Sequence, residues 1–297
     1  MRRKAYGRDI GLSGRMVLTT FLLGALYVVF FVVLLQLFSL SLGVVIVIMA
    51  GLAFVQYFTS DKIALRASGA KIVEPDQAPE LHDMVERLAA MADIPKPRVA
   101  VIDTDVPNAF ATGRNPKRAV VAVTRGLWQR LEPREVEGVL AHELAHVQHR
   151  DVAVMTIASF FSMVAAMLMR FGLYAGMFSG GNRDNNSAPV WLIMFLVSLL
   201  TYVISYVLLM ALSRYREFAA DRGAALITGA PENLMSALQK IASRMTQIPQ
   251  RDLREAASMN AFFIMPTVKE LFSTHPPLEK RLEKLAEIAR EMGRPVE

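Results

Sequence analysis

Cysteine is absent from the chain, and histidine occurs only five times in 297 residues. Without cysteine there is no disulfide framework and no thiol nucleophile. Catalytic or metal chemistry must therefore come from histidines and carboxylates. The chain is basic, with a formal charge of +6 and a pI near 9.6. No basic helix or aromatic and basic sheet pattern accompanies that charge, so the sequence does not indicate nucleic-acid binding.

Charge is missing from one long stretch near the N-terminus. No charged residue occurs between Arg15 and Asp61, a run of 45 residues. A membrane-spanning helix needs about 20 apolar residues, so this run predicts two spans, Met16 to Leu37 and Leu42 to Phe58. A signal peptide is the competing interpretation. The run greatly exceeds a signal-peptide core of about 7–15 residues, and nothing after it resembles a cleavage site.

Two further apolar segments occur in the second half of the chain, separated by a polar linker at residues 178–189. The segment from Val152 to Met169 is uncharged and is closed by Arg170. It is predicted either to span the membrane or to be a long core helix that only dips into it. The segment from Val190 to Leu212 is almost wholly apolar and is predicted to span.

The predicted organisation follows from these segments. Basic residues before the first span favour a cytoplasmic N-terminus, and two hairpins return the chain to the same side. The positive charge also suits a protein that faces anionic lipid. The predicted parts are a basic N-terminus (1–15), a transmembrane hairpin (16–60), the first part of a cytoplasmic catalytic domain (61–151), a second hydrophobic hairpin (152–213) and the second part of that domain (214–297).

Two of the five histidines lie in the string His142-Glu143-Leu144-Ala145-His146. On a helix, positions i and i+4 share a face, so both imidazoles can reach one metal ion. Zinc suits such a pair, because a catalytic zinc has three protein ligands and one open position. Glu143 is then placed to take a proton from water. A surface helix with two solvated histidines is the alternative interpretation.

The third ligand has two candidates. His149 lies about 10 Å along the helix axis from His142, too far for one ion to meet both easily. A HExxHxxGxxH site is excluded, because His149 stands where the glycine is required and Val152 where the last histidine is required. Glu217 is the better candidate, with Asp221 one turn further on to accept the distal N–H of a histidine ligand. An ordinary helix with a charged stripe is the alternative.

The spacing of these groups favours the metal site. His146 and Glu217 are 71 positions apart, and two candidate spans lie between them. An even number of crossings brings both residues to the same face of the membrane, whereas an odd number would separate them.

Together these features resemble the HtpX group of bacterial membrane zinc metallopeptidases, which is related to the CAAX prenyl endopeptidases. The resemblance covers nearly the whole chain and includes the strings Asn108-Ala-Phe-Ala-Thr-Gly113 and Thr274-His-Pro-Pro-Leu-Glu-Lys-Arg281. It implies that His142, His146 and Glu217 bind one zinc ion, that Glu143 is the catalytic acid and base, and that Asp221 supports a ligand.

The expected fold is an integral-membrane α+β architecture. A mainly helical, zincin-like catalytic domain of the gluzincin type contains a small β-sheet, and four transmembrane helices form two hairpins. The resemblance implies an endopeptidase of the bacterial cytoplasmic (inner) membrane, with both termini and the active site facing the cytoplasm. Its expected substrates are misfolded or damaged membrane proteins and unfolded polypeptides. A zinc-binding adaptor or chaperone without activity and a prenyl-protein endopeptidase are the alternatives, and the oligomeric state stays open.

The remaining motifs predict the surroundings of the metal. Residues 98–103 and 119–124 are predicted strands, and an edge strand beside the site would bind an extended peptide by backbone pairing. The resemblance implies that Asn108, Ala109 and Phe110 are candidate substrate-binding residues, whereas the residues alone favour a plain strand and turn. His275, before two prolines, is a candidate oxyanion donor, although a lone histidine is more often structural. His82 is predicted to be scaffold.

Overall fold

The computed structural model describes residues 9–38, 41–178, 190–245 and 275–294. The basic residues before position 9 and most of the predicted polar linker lie outside this part of the chain. In chain order the elements are α1 (Ile10–Phe38), α2 (Leu42–Ala67), β1 (Lys71–Ile72), α3 (Pro79–Met91), β2 (Arg98–Ile102), β3 (Ala109–Thr112), β4 (Val120–Thr124), α4 (Arg125–Arg130), α5 (Pro133–His149), α6 (Asp151–Phe178), α7 (Val190–Thr228), α8 (Pro231–Met245) and α9 (Leu278–Glu291).

Two compact units are formed by these elements. The first unit contains Met1–Tyr57 and Met155–Tyr215, and the second contains Phe58–Val154 and Arg216–Glu297. Four helices, α1, α2, α6 and α7, are long and apolar enough to cross a membrane. The predicted integral-membrane α+β fold with four membrane helices is therefore confirmed.

Two polar side chains of the first unit donate hydrogen bonds from one helix to another. The Tyr27 hydroxyl donates to the Ala158 carbonyl at 2.7 Å, and the Gln56 side-chain amide donates to the Thr156 carbonyl at 3.2 Å. The ring of Tyr27 also stacks on Phe161 with centroids 4.6 Å apart. These contacts hold α1 and α2 against α6.

All four membrane helices are longer than the predicted spans, and the difference is greatest for α6 and α7. Helix α6 continues through Arg170 to Phe178, and α7 continues through Arg214 to Thr228. The predicted limits were set by charged residues, but a charged side chain leaves the backbone hydrogen bonds of a helix intact. Composition therefore marks where a segment stops being apolar and not where its helix ends.

The second unit is built on a four-stranded sheet with strand order β1-β2-β4-β3. Strands β2 and β4 are parallel, whereas β1 and β3 pair antiparallel with their neighbours. Both predicted strands are present, each one residue shorter than predicted. Alternate residues face opposite sides, so Val99 and Val121 join the main core with α3, α5, α8 and α9. Ala100 and Ala122 join a smaller cluster on the other face.

Specific residues start and stop helix α5 at its two ends. Pro133 occupies its first turn, and Glu132 and Glu135 form a capping box that binds two backbone N–H groups. At the other end Arg150 adopts a left-handed conformation with φ 58°. Helix α5 therefore ends abruptly after His149, and the chain turns at once into α6.

Candidate metal centre

Three side chains from α5 and α7 converge on one point. His142 Nε2 and His146 Nε2 lie 3.2 Å apart. Glu217 completes the group, with Oε2 3.6 Å from His142 Nε2 and Oε1 3.4 Å from His146 Nε2. These three are the predicted ligands, and within the described residues they form the group of histidines and carboxylates that can hold a metal ion.

The second nitrogen of each histidine is held by a carboxylate. His142 Nδ1 lies 2.9 Å from Asp221 Oδ1, as predicted for Asp221. His146 Nδ1 lies 2.6 Å from Asp151 Oδ2, a contact that the sequence interpretation missed. A carboxylate at Nδ1 fixes the proton there and leaves the Nε2 lone pair for a metal. Both imidazoles are thus oriented for binding at Nε2.

Each of these carboxylates is held in turn by a buried arginine. Arg281, with no exposed surface, donates from Nη2 to Asp221 Oδ1 at 2.6 Å and from Nε to Asp221 Oδ2 at 2.9 Å. Arg216 donates to Asp151 Oδ1 in the same way. Sequence reasoning missed both arginines. Arg281 entered the sequence interpretation only as the last residue of the string Thr274–Arg281, and Arg216 had no predicted role at the site.

Burial and charge oppose each other at the two histidines. Burial disfavours their charged forms, but hydrogen bonds to Asp221 and Glu217 outweigh it and raise the pKa of His142. Asp151 and Glu217 similarly raise the pKa of His146 well above its ordinary value. The carboxylates therefore favour positive charge at this point, which is the condition for cation binding.

Glu143 lies beside the ligands and at the sheet. Its side chain is buried, and Ala111 N–H donates to its Oε2 at 2.9 Å. Burial raises the pKa of Glu143, while the neighbouring histidines act in the opposite direction. A carboxyl with a raised pKa and a fixed orientation is suited to accept and return a proton.

Within the described residues, β3 is an edge strand of the sheet, and it runs past Glu143. Thr124 N–H donates to the Asn108 carbonyl, so Asn108, Phe110 and Thr112 direct their backbone groups toward β4. The backbone groups of Ala109 and Ala111 point away from β4, on the side where the Ala111 N–H meets Glu143. Of the three predicted substrate-binding residues, Ala109 alone directs its backbone away from β4, and all three residues are buried.

The other histidines occupy different places. His275 Nδ1 lies 2.9 Å from Glu217 Oε2, so the predicted oxyanion donor contacts a ligand carboxylate. His149 is exposed at the end of α5 and is outside the ligand group. His82 is buried, with Nε2 3.0 Å from the Val73 carbonyl, in agreement with a scaffold role.

Known proteins share the sequence features of this centre. The sequence profile of peptidase family M48 matches residues 75–289, which include every residue of the centre. The chain belongs to peptidase family M48. A protease HtpX homolog of Moorella thermoacetica is 53% identical, with 98% of each chain covered. Protease HtpX homolog 2 of Methanosarcina mazei is 51% identical over 99% of this chain and 100% of the relative.

A solved structure shares the fold. The crystal structure of S. mikatae Ste24p matches 93% of this chain and 67% of its own, with a TM-score of 0.52 at 19% identity. The predicted resemblance to the HtpX group and its relation to the CAAX prenyl endopeptidases is confirmed. This M48 chain is thus a multi-pass membrane metallopeptidase that acts on polypeptides through a centre able to hold a metal ion.

Proposed function

We propose that this M48 peptidase is a zinc-dependent endopeptidase with one zinc ion held by His142, His146 and Glu217. The distances among their ligand atoms carry the proposal. Two atoms bound to zinc at about 2.05 Å with a tetrahedral angle lie about 3.3 Å apart. The three separations here are 3.2, 3.4 and 3.6 Å. Two imidazoles and one carboxylate leave a fourth position open, which is the pattern of a catalytic site.

When bound, the zinc ion supplies a Lewis acid that polarises the scissile carbonyl and acidifies water. Glu143 accepts a proton from the attacking water and returns it to the leaving amine. Its raised pKa makes the carboxylate a stronger base for accepting the proton, and the Ala111 N–H holds the carboxylate in place. The buried Asp221 and Asp151 keep the two histidines in the tautomer that bonds through Nε2.

An extended polypeptide is the substrate form that this site accommodates. A peptide added along β3 would pair with the carbonyl of Ala111, the partly exposed residue of this strand, and would pass beside Glu143. Backbone pairing gives affinity without reading side chains. The site is therefore suited to many unfolded sequences, provided that the segment is locally extended.

We further place the activity at the cytoplasmic face of the bacterial inner membrane, in the removal of misfolded or damaged membrane proteins. Four candidate spans support an even number of crossings. Five basic residues precede the first span and support a cytoplasmic N-terminus: Arg2, Arg3, Lys4, Arg8 and Arg15.

The test of catalysis compares the wild type with Glu143→Gln, each purified in detergent and assayed for zinc content. The substrates are casein and an unfolded membrane protein. Glu143→Gln is expected to retain zinc and to lose about 10²–10⁴-fold in cleavage rate. Glu137→Gln is the matched control, because Glu137 lies on the same helix and pairs with Arg87 outside the metal centre.

Two other results would replace the proposal. Equal behaviour of Glu143→Gln and wild type would indicate an adaptor that keeps a metal without catalysis. Cleavage confined to a lipidated C-terminal peptide would indicate a prenyl-protein endopeptidase.

Orientation has a separate test, because the chain has no native cysteine to interfere. Lys71→Cys introduces a single thiol at an exposed position of the second unit. A membrane-impermeant maleimide is expected to label it in inverted vesicles and not in intact spheroplasts. The reverse pattern would place the active site outside.

A further inference from the structure

Asp151 lies against the metal centre although it is the first residue of the hydrophobic helix α6. The left-handed backbone of Arg150 ends α5, and α6 begins at the next residue. Asp151 is thereby brought next to His146, five positions earlier. The contact depends on the turn between the helices and is not an ordinary helical i, i+4 contact.

Both oxygens of Asp151 have defined partners at the centre. Oδ2 lies 2.6 Å from His146 Nδ1, and Oδ1 accepts from the Arg216 guanidinium. The side chains of Asp151 and Arg216 are each only 8% exposed. Arg216 also donates to the backbone carbonyl of His149 at 3.4 Å, which ties it to the last turn of α5.

A purely structural role for Asp151 is the alternative. An acidic residue in the first turn of a helix stabilises it through the helix dipole. The geometry favours another role, because both carboxylate oxygens are turned toward His146 and Arg216. A residue that served α6 alone would direct an oxygen to the N–H groups of its own first turn.

The same three-residue arrangement occurs at the other histidine. His142 is held by Asp221, and Asp221 by Arg281. Across the centre, the carboxylates of Glu143, Glu217, Asp151 and Asp221 face the two guanidinium groups of Arg216 and Arg281. With the four carboxylates ionised and both histidines neutral, as in a metal-bound centre, these groups carry a net charge of −2, which matches one divalent cation.

From this we infer that Asp151 is the positioning residue for His146 and that Arg216 fixes the Asp151 carboxylate in place. The inference rests on the proposed zinc site and adds a requirement to it. Affinity for the metal depends on two residues that do not touch it, because they set the tautomer and direction of one ligand. Loss of such a partner typically weakens metal binding about 10–100-fold.

The experiment measures zinc affinity of the full-length chain in detergent by competition with a chromophoric chelator. Asp151→Asn is expected to bind zinc about 10–100-fold more weakly than wild type. The matched control is Asp103→Asn, because Asp103 is also bonded to an arginine, Arg125, but is 82% exposed and remote from the centre. It is expected to bind zinc as the wild type does.

The melting temperature of the zinc-free proteins separates the two roles. An unchanged zinc affinity in Asp151→Asn overturns the inference, whatever happens to the melting temperature. A weaker affinity with a zinc-free melting temperature close to that of wild type supports positioning.

Arg216→Lys provides a second, milder variant that tests the arginine and also serves if Asp151→Asn does not fold. Lysine keeps the charge but cannot bond Asp151 and the His149 carbonyl with one planar group. Zinc affinity is expected to fall about tenfold. The double variant Asp151→Asn, Arg216→Lys is expected to bind no more weakly than Asp151→Asn alone, since both act through one contact. Losses that add independently would overturn the inference.

If the proposed zinc site itself is wrong, the experiment gives a different result from the one expected if only the role of Asp151 is wrong. In that case the wild type would bind no zinc, or His146→Ala would bind it as tightly as wild type. A wild type that binds zinc, a His146→Ala protein that does not, and an unaffected Asp151→Asn protein would reject only the positioning role.

Discussion

Arg281 and Asp221 form a two-point ion pair that is closed to solvent, with both side chains 0% exposed. The pair joins α9 to α7 and extends to the metal centre, since Arg281 Nη1 also lies 3.5 Å from Glu217 Oε2. A buried charge left without its partner is far more costly than the loss of an exposed pair. Helix α9 is thus tied to the candidate metal centre.

Arg281→Leu is therefore expected to destabilise the second unit by about 3–5 kcal/mol, because Asp221 becomes a buried, unpaired charge. The measurement is the melting temperature in detergent, together with zinc content. Arg290→Leu on the exposed side of the same helix is the control, with an expected change within about 0.5 kcal/mol. Similar melting temperatures for the two variants would contradict this account of the pair.

Substrate pairing at the edge of β3 predicts a period-two pattern of sensitivity along a substrate peptide. In an antiparallel pair, alternate residues direct their N–H groups toward the partner strand. Methylation of one backbone nitrogen at a time is expected to raise KM at every second position, with little effect between them. Kinetics on such a peptide series make the measurement. A uniform effect, or none, would argue against strand addition.

Close packing of α5 on α7 depends on Gly223. A Cβ atom at this position would lie 2.6 Å from the Cβ of Ala145, inside any normal contact distance. Gly223→Ala is expected to push the two ligand-bearing helices apart, with a loss of about 1–3 kcal/mol and weaker zinc binding. Gly51→Ala is the control, because a Cβ there meets nothing within 4 Å. Unaltered zinc binding in Gly223→Ala would show that the helices tolerate the shift.

Glu135 gives the second unit a pH-dependent contribution to stability. Burial opposes its charge, but contacts with Lys240, with Ser236 and with the Glu132 backbone outweigh burial and lower its pKa. Because the folded-state pKa is below the unfolded one, the stabilisation is present above pH 4.5 and is lost as pH falls through the folded-state pKa. Its size at neutral pH is on the order of 1 kcal/mol.

Glu135→Gln is accordingly expected to melt below the wild type at pH 7, and this difference is expected to shrink in acid. Thermal melts of both proteins between pH 3 and pH 7 test the expectation, with the exposed Glu283→Gln as control. A difference that is constant across this range would show that the charge of Glu135 is not its source.

The candidate ligands could be predicted from the sequence because they are spaced at helical intervals. His142 and His146 share a face of α5, and Glu217 and Asp221 share a face of α7. The pattern predicted these four residues as one group, and the structure brings them together. Zinc binding itself remains a prediction that only the metal measurement can test.

The residues that hold the histidine ligands in place could not be predicted from sequence spacing. Arg281 and His142 are 139 positions apart, and only tertiary packing brings them together. Asp151 is near His146 in sequence, but their contact depends on one left-handed residue that no periodic pattern indicates. A carboxylate shortly after the end of a metal-binding helix was the available signal.

That left-handed residue has a consequence for how the family can vary. The exposed Arg150 contributes its backbone conformation to the centre, since the turn it makes delivers Asp151 to His146. A non-glycine residue in this conformation costs about 1–2 kcal/mol, least for asparagine. Position 150 should therefore accept glycine or asparagine and reject valine or isoleucine. The centre thus constrains the backbone conformation of this residue and not the chemistry of its side chain.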